Sequence, residues 1–168
     1  FNPNINTYTN AKDLLNRERP DIVSIATWKD THYEMMNLCI DFNVSAIVCE
    51  KPISEEIKHA SEIVQKVNRA GIHLFVNHRR RFDPLLYSFK EDLNKGAIGK
   101  LVNVNAHYVY GLVTTGTHLV DAMRFILCDQ VGEIEWVIGL EHKFKNFSPP
   151  DDPGVNFVLG FENGLTAV

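Results

Sequence analysis

The tripeptide Glu50-Lys51-Pro52 places a titratable side chain on a stiff stretch of backbone. It follows the apolar run Ser45-Ala46-Ile47-Val48-Cys49, which is typical of a buried strand. Pro52 fixes its own φ and restricts Lys51 to an extended conformation. In a parallel sheet, Lys51 would lie at the carboxyl edge, where ligands of open α/β sheets bind. A lysine there can act as an acid, a base or a carbonyl-polarising group; the alternative is a solvated turn before a helix.

His118 and Asp121 form a second candidate pair, because they are three positions apart on a predicted helix and share one face. The carboxylate could hold the imidazole in one tautomer. Histidine titrates near neutral pH, as a proton-transfer residue should. The same spacing also fits a helix-surface pair or a buried histidine with satisfied hydrogen bonds, so both interpretations stay open.

Two further segments lie where the chain passes between predicted elements. Ala26-Thr27-Trp28 ends the first apolar strand, and His32 lies at the start of the next helix. Backbone amides at such a point could face a cofactor, although an ordinary strand–helix turn fits equally well. Arg79-Arg80-Arg81-Phe82 lies at the junction of the two halves, and a solvated run with one interdomain salt bridge is the alternative there.

The first half of the chain alternates strand and helix patterns. Apolar runs rich in β-branched residues predict three strands, which we expect to be buried on both faces: residues 22–26, 45–49 and 72–76. Thr31 with Glu34 predicts a capping box for one intervening helix, and the other is expected to open at Ser54 and end at Gly71. This alternation predicts parallel βαβ units.

The second half has a different pattern, beginning with a helix that Pro84 opens. Residues 101–110 alternate apolar and polar side chains and predict a long strand with one covered face. A helix over about 117–127 and three more strands follow, with Asn163-Gly164 as a hairpin signal. The fold class is therefore α/β, with a parallel βαβ domain followed by an α+β domain whose sheet is mostly antiparallel. We place the boundary near Asn77.

Composition excludes several classes of function. The chain has 168 residues and a net charge of -4, so no basic surface indicates nucleic acid. No apolar stretch approaches the roughly 20 residues that span a bilayer, and no signal peptide is evident, so we expect a cytoplasmic protein without a membrane partner. Neither the three cysteines nor the seven histidines have metal-ligand spacing, and we expect Cys39 and Cys49 to be small core residues.

Five short motifs occur in a fixed order and together resemble a known family. They are Ile25-Ala26-Thr27 with His32, Glu50-Lys51-Pro52, Arg80-Arg81-Phe82-Asp83-Pro84, Gly96-Ala97-Ile98-Gly99-Lys100 and Gly116-Thr117-His118-Leu119-Val120-Asp121. Their order strongly resembles the Gfo/Idh/MocA family, which is named for glucose–fructose oxidoreductase and inositol dehydrogenase. The resemblance covers nearly the whole chain.

The resemblance implies a partial Rossmann domain followed by an α+β domain. Residues 1–77 would be the C-terminal portion of a Rossmann dinucleotide-binding domain. Residues 78–168 would be a substrate-binding and dimerisation domain, incomplete at its C-terminus. The implied cofactor is NAD or NADP, and the implied substrate is a sugar, a cyclitol or a sugar derivative. The outer sheet of the second domain would build a homo-oligomer, either a dimer or a tetramer.

Residue roles follow from the same resemblance. Lys51 and His118 would handle the proton of the reacting hydroxyl. The residues expected to bind the cofactor are Ala26, Thr27, Trp28, His32, Glu50, Pro52 and Arg81. The residues expected on the substrate side are Tyr108, Thr114 and Asp121.

The sequence departs from the family pattern in three ways. It contains no GxGxxG, the loop that binds the pyrophosphate, so we expect part of a longer enzyme and no cofactor binding by the printed chain alone. Thr114 stands four positions before His118, where the family often has an acidic or amide residue, and Trp28 stands where proline is usual. The alternative is a truncated, inactive relative that serves as a ligand-binding or dimerisation module.

Overall fold

The computed structural model describes residues 5–142 and 151–168 and divides into two compact units, Phe1–Asn77 and His78–Val168. The first unit contains a parallel sheet and the second an antiparallel sheet, each of three strands in chain order. The α/β fold class expected from the sequence is confirmed. No helix in the described ranges combines the length and apolar character that crossing a bilayer requires.

The first unit alternates helices and strands along the chain. Its elements are α1 (Ala11–Glu18), β1 (Ile22–Ile25), a 3₁₀ turn (Lys29–Thr31), α2 (His32–Asp41), β2 (Ala46–Glu50), α3 (Ile57–Ala70) and β3 (His73–Asn77). β2 lies between β1 and β3 and is parallel to both. All three strands therefore end at the same edge of the sheet.

The core of the first unit lies on one face of this sheet. Ile25, Ile47 and Cys49 point into it from the strands and pack with buried residues of α2 and α3. The expectation that the strands are buried on both faces was wrong, because the side chains of Ile22 and Phe75 are 64% and 57% exposed. Alternation along a strand puts neighbouring side chains on opposite faces, and an apolar run does not reveal which face is covered.

Two helix starts also differ from the sequence prediction, although the end of α3 agrees with it. Thr31 makes no side-chain cap bond to α2, because its hydroxyl donates within the preceding turn instead. α3 begins at Ile57, three residues after the predicted Ser54. Gly71 ends α3 with a φ of 69°, a left-handed conformation that favours glycine.

Cys39 and Cys49 belong to this core. Burial raises the pKa of Cys39 to about 11. Burial first, and then the charge of Glu50, raises the pKa of Cys49 to about 12. Because a thiol, unlike a thiolate, is a poor nucleophile, both residues contribute packing rather than chemistry at neutral pH.

The second unit places helices against an antiparallel sheet. Its elements are a 3₁₀ turn (Arg79–Phe82), α4 (Pro84–Asn94), a π-helical turn (Leu112–Gly116), α5 (Thr117–Val131), β4 (Ile134–His142), β5 (Gly154–Phe161) and β6 (Thr166–Ala167). The Asp83 side chain accepts from the Leu85 amide at 2.9 Å and caps α4, with Pro84 at its first position as predicted. Leu93 of α4, Met123 and Leu127 of α5, and Leu159 and Phe161 of β5 form the core.

The long strand predicted over residues 101–110 is wrong. This segment makes one isolated parallel bridge, between Val104 and Ala167. Val104 and Ala106 are half-buried as the alternation suggests, but the side chain of Val102 is 84% exposed. The partner strand β6 has only two residues, so the pairing that the alternation favours extends over a short distance.

Candidate active site

The carboxyl edge of the parallel sheet brings several predicted site residues together. Thr27 follows β1, and the tripeptide Glu50-Lys51-Pro52 begins at the last residue of β2. Glu50 lies opposite Asn77, the last residue of β3. The Asn77 side-chain amide donates to Glu50 Oε1 at 2.6 Å, which joins the ends of these two strands. Lys51 is half-buried, and its peptide bond to Pro52 is cis.

His32 joins the loops that follow β1 and β2. Its side chain is 1% exposed, with Nδ1 2.7 Å from the Pro52 carbonyl oxygen and Nε2 3.1 Å from the Thr27 carbonyl oxygen. The ring thus connects the backbone of both loops from inside the unit. This geometry fixes the backbone on which Lys51 is carried.

The loop after β1 is exposed. The indole of Trp28 is 83% exposed, and Ala26 and Thr27 are exposed as well. The Thr31 hydroxyl holds the turn closed, because it contacts the Thr27 hydroxyl at 2.6 Å and donates to the Trp28 carbonyl at 2.8 Å. The predicted cofactor residues of this loop therefore lie at the surface of the first unit, on a backbone held by Thr31 and His32.

These groups fit one end of a dinucleotide. The edge carries the side chains of Lys51 and Thr27, and an ammonium and a hydroxyl can bond to an amide oxygen or to ribose hydroxyls. Pyrophosphate requires backbone amides at a glycine-rich helix start, and the printed sequence has no GxGxxG. The residues of the first unit therefore suit a nicotinamide riboside and do not include the expected pyrophosphate loop.

The second unit positions His118 in the first turn of α5. Asp121 lies one turn further along, and its carboxylate accepts from Arg81 Nε at 2.9 Å and from Arg81 Nη2 at 2.7 Å. These hydrogen bonds raise the pKa of the Arg81 guanidinium above its usual value. His78 Nδ1 lies 3.7 Å from Asp121 Oδ2, and the rings of His78 and His118 meet edge to face with centroids 6.1 Å apart.

This cluster of His78, Arg81, His118 and Asp121 differs from the expected pair. The sequence predicted that Asp121 could orient His118, whereas the hydrogen bonds found for its carboxylate come from Arg81. Arg81 was expected to bind the cofactor, and the structure pairs it with Asp121 within the second unit. An arginine fork on a carboxylate fixes both side chains, so it fixes the start of α5 relative to the turn Arg79–Phe82.

Thr114 and Tyr108, expected on the substrate side, each have a defined partner. The Thr114 hydroxyl donates to Asp152 Oδ2 at 2.6 Å. The Tyr108 hydroxyl donates to the Val155 carbonyl at 2.7 Å and accepts from the Val155 amide at 2.8 Å. Because the Tyr108 hydroxyl both donates to and accepts from the backbone of Val155, Tyr108 holds the chain in place before the π-helical turn.

Sequence reasoning missed Asp152 and His78. Asp152 is 1% exposed and 38 residues from the threonine that it contacts, so no local pattern could find it. His78 lies two residues beyond the strand predicted over 72–76, and that proximity was the available signal. Within residues 5–142 and 151–168, no group of three or more His, Cys, Asp or Glu side chains is arranged to hold a metal.

Comparisons with known proteins identify the family. A family described as "Oxidoreductase family, NAD-binding Rossmann fold" (GFO_IDH_MocA) matches residues 2–78. The first unit therefore belongs to the Gfo/Idh/MocA family. The resemblance seen in the ordered motifs is thereby confirmed, and NAD is the cofactor that this family's description names.

Individual relatives extend the similarity into the second unit. Inositol 2-dehydrogenase 3 of Saccharopolyspora erythraea is 26% identical over 161 residues, which cover 89% of this chain and 47% of that protein. D-apiose dehydrogenase of Paraburkholderia graminis is 34% identical over 92 residues, covering 55% of this chain and 24% of the relative. The chain therefore spans about half, or less, of the length of these curated relatives.

Solved structures of oxidoreductases share the fold. An oxidoreductase from Agrobacterium radiobacter, crystallised with NAD+, L-tartaric acid and magnesium, superposes with a TM-score of 0.76 at 22% identity. The match covers 95% of this chain and 50% of that one. At this level of identity the similarity concerns the arrangement of helices and strands.

Proposed function

We propose that the chain serves an NAD- or NADP-dependent oxidoreductase that acts on a hydroxyl of a sugar, a cyclitol or a sugar derivative. The observation that carries this proposal is the position of Glu50-Lys51-Pro52 at the carboxyl edge of a parallel sheet, inside the segment that the NAD-binding family matches. The names of the relatives, an inositol dehydrogenase and an apiose dehydrogenase, support the substrate class.

The reaction requires a proton acceptor. Oxidation of a carbinol removes a hydride from carbon and a proton from oxygen. The nicotinamide ring, when bound, supplies the hydride acceptor. We assign the proton to Lys51 of the first unit and His118 of the second. Lysine is ordinarily a poor base at neutral pH, but loss of water and a nearby positive charge improve it.

The remaining residues have supporting roles in this proposal. Ala26, Thr27, Trp28 and Pro52 would contact the nicotinamide end of the cofactor. His32 and Glu50 would position the backbone of the site without contacting the cofactor. His32 bonds to the Pro52 carbonyl, and Glu50 accepts from Asn77. Arg81 and Asp121 would fix the helix that carries His118. All three cysteines carry free thiols, which suits a reducing compartment such as the cytoplasm.

Cofactor binding tests the proposal directly. We expect saturable binding of NADH or NADPH to the natural gene product, measured by the fluorescence of the reduced nicotinamide. AMP, which lacks the nicotinamide, is the control and should compete only for the adenine end. Failure of both dinucleotides to bind the gene product would exclude the oxidoreductase and favour a ligand-binding or dimerisation module.

The antiparallel sheet supports the proposal of a homo-oligomer. Trp136 and Ile138 of β4 are 42% and 62% exposed, and they lie opposite Gly160 and Val158, on the face of the sheet away from the core residue Leu159. Contiguous exposed apolar surface of this kind commonly marks a protein interface.

A charge on β4 tests this interface. We expect Ile138→Lys to convert the protein to monomers in sedimentation velocity, because a lysine would be desolvated in the interface. Val109→Lys is the matched control, since Val109 is 81% exposed in the same unit but lies outside the sheet. Equal sedimentation of the native protein and both variants would refute an interface at β4.

A further inference from the structure

Asp152 is a buried carboxylate with three hydrogen bonds to one turn. Its side chain is 1% exposed. Oδ1 accepts from the Val113 amide at 2.7 Å, and Oδ2 accepts from the Thr114 amide at 2.8 Å and from the Thr114 hydroxyl at 2.6 Å. A buried carboxylate is tolerated only when such donors compensate for its lost hydration. The three bonds therefore fix Asp152 and the turn Leu112–Gly116 relative to each other.

The turn that Asp152 holds leads directly into the helix that carries His118. Leu112–Gly116 is π-helical and continues as α5 from Thr117. The first amides of a helix have no partner within it, and a negative charge there is favourable. Asp152 satisfies two of these amides, and the Pro153 carbonyl accepts from a third, that of Leu112, at 3.1 Å.

Gly111 permits this close approach. A Cβ atom at position 111 would lie 2.1 Å from Asp152 Cγ, far inside van der Waals contact. A larger residue there would displace the carboxylate. The local sequence thus leaves room for a carboxylate that arrives from a distant part of the chain.

The contact with Asp152 also fixes the direction in which the Thr114 hydroxyl donates its hydrogen bond. An ionised carboxylate only accepts, so the Thr114 hydroxyl must point its proton at Asp152. Towards any ligand, the Thr114 oxygen can then act only as an acceptor. A group that donates, such as the hydroxyl of a polyol, is the matching partner.

We infer that Asp152 is a positioning residue for the proposed reaction: it orients Thr114 as an acceptor for a substrate hydroxyl and holds the turn that precedes His118. The inference rests on the proposed function and deepens it, because it concerns how the same site recognises its substrate. It also explains how a threonine can stand four positions before His118, where the family often has an acidic or amide residue.

Hydrogen exchange tests the anchoring without reference to turnover. In the natural gene product, the amides of Val113 and Thr114 should exchange slowly, and Asp152→Asn should accelerate them. Asp151→Asn is the matched control, since Asp151 is exposed and adjacent. Unchanged exchange in Asp152→Asn would overturn the anchoring.

Kinetics test the role in the reaction. Misplacing a positioned group costs on the order of 100-fold in rate, and we expect that loss of kcat/KM for Asp152→Asn and for Thr114→Val, each measured with inositol and with aldose substrates. Thr114→Ser keeps the hydroxyl and should lose much less of kcat/KM than Thr114→Val. The double variant should lose about 100-fold rather than about 10,000-fold, because the two residues act as one unit.

The possible results distinguish the role of Asp152 from the proposed oxidoreductase function. Two results would refute the inference and leave the proposed function intact. One is a loss of kcat/KM in the double variant that equals the product of the two single losses. The other is an unchanged rate for Asp152→Asn when the native protein is active. A native protein that turns over none of these substrates would refute both. If Asp152→Asn does not fold, the contrast between Thr114→Val and Thr114→Ser decides, since equal rates for these two variants would also refute the inference.

Discussion

Lys51→Met is expected to lower kcat of the natural gene product by about 10²–10⁴-fold, the usual contribution of a positioned acid or base. Methionine fills a similar volume but carries no proton. Lys51 leaves β2 at its carboxyl end and is only half-buried, so its replacement should not disturb the core formed by Ile47 and Cys49. Steady-state oxidation of a polyol substrate, followed by the absorbance of the reduced cofactor, measures the effect.

Lys51→Arg distinguishes proton transfer from simple electrostatic assistance. Arginine keeps the positive charge but does not give up its proton in proteins. If Lys51 exchanges a proton with the substrate, Arg should be as inactive as Met. If Lys51 only polarises the reacting oxygen, Arg should retain much of the activity, and our assignment of the proton would be wrong.

A second lysine provides the control for Lys51. Lys58 is exposed in the first turn of α3, within the same unit, and Lys58→Met should leave kcat unchanged. NADH affinity and the far-ultraviolet circular dichroism spectrum should be similar for both variants. A Lys51→Met protein with native kcat would remove the main support for the proposed function.

The parts of the fold that the sequence predicted are those that depend on local pattern. The three parallel strands follow from apolar runs such as residues 45–49, which predicted β2, and α3 ends where Gly71 can adopt a positive φ. The order of the motifs indicated the same family that matches residues 2–78, and each motif lies at or next to a strand or helix end. These features need only neighbouring residues.

The features that the sequence missed depend on partners far along the chain. Asp121 bonds to Arg81, 40 residues away, rather than orienting the histidine on its own helix. Asp152 reaches Thr114 across 38 residues. The failed strand over 101–110 has the same origin, because its alternation was correct in part but the short strand β6 limits its pairing. Tertiary contacts decide such choices, and a single sequence contains no direct record of them.

His118→Gln should remove the rise of kcat/KM with pH near neutrality, in addition to lowering kcat by about 10²–10⁴-fold. A base must be deprotonated to accept the substrate proton, so the native rate increases as pH rises through the pKa of that base. Glutamine can donate and accept hydrogen bonds but does not titrate. The pH profile of kcat/KM, measured for native protein and variant under the same ionic conditions, records the difference.

The neighbouring histidine makes this assignment testable. The rings of His78 and His118 have centroids 6.1 Å apart, and His78 Nδ1 is 3.7 Å from the Asp121 carboxylate. We expect His78→Gln to retain the rise of rate with pH, because His78 is not one of the groups to which we assign the substrate proton. If His78→Gln removes the rise and His118→Gln keeps it, the proton acceptor is His78, and the helix start at Thr117 positions a histidine with a supporting role only.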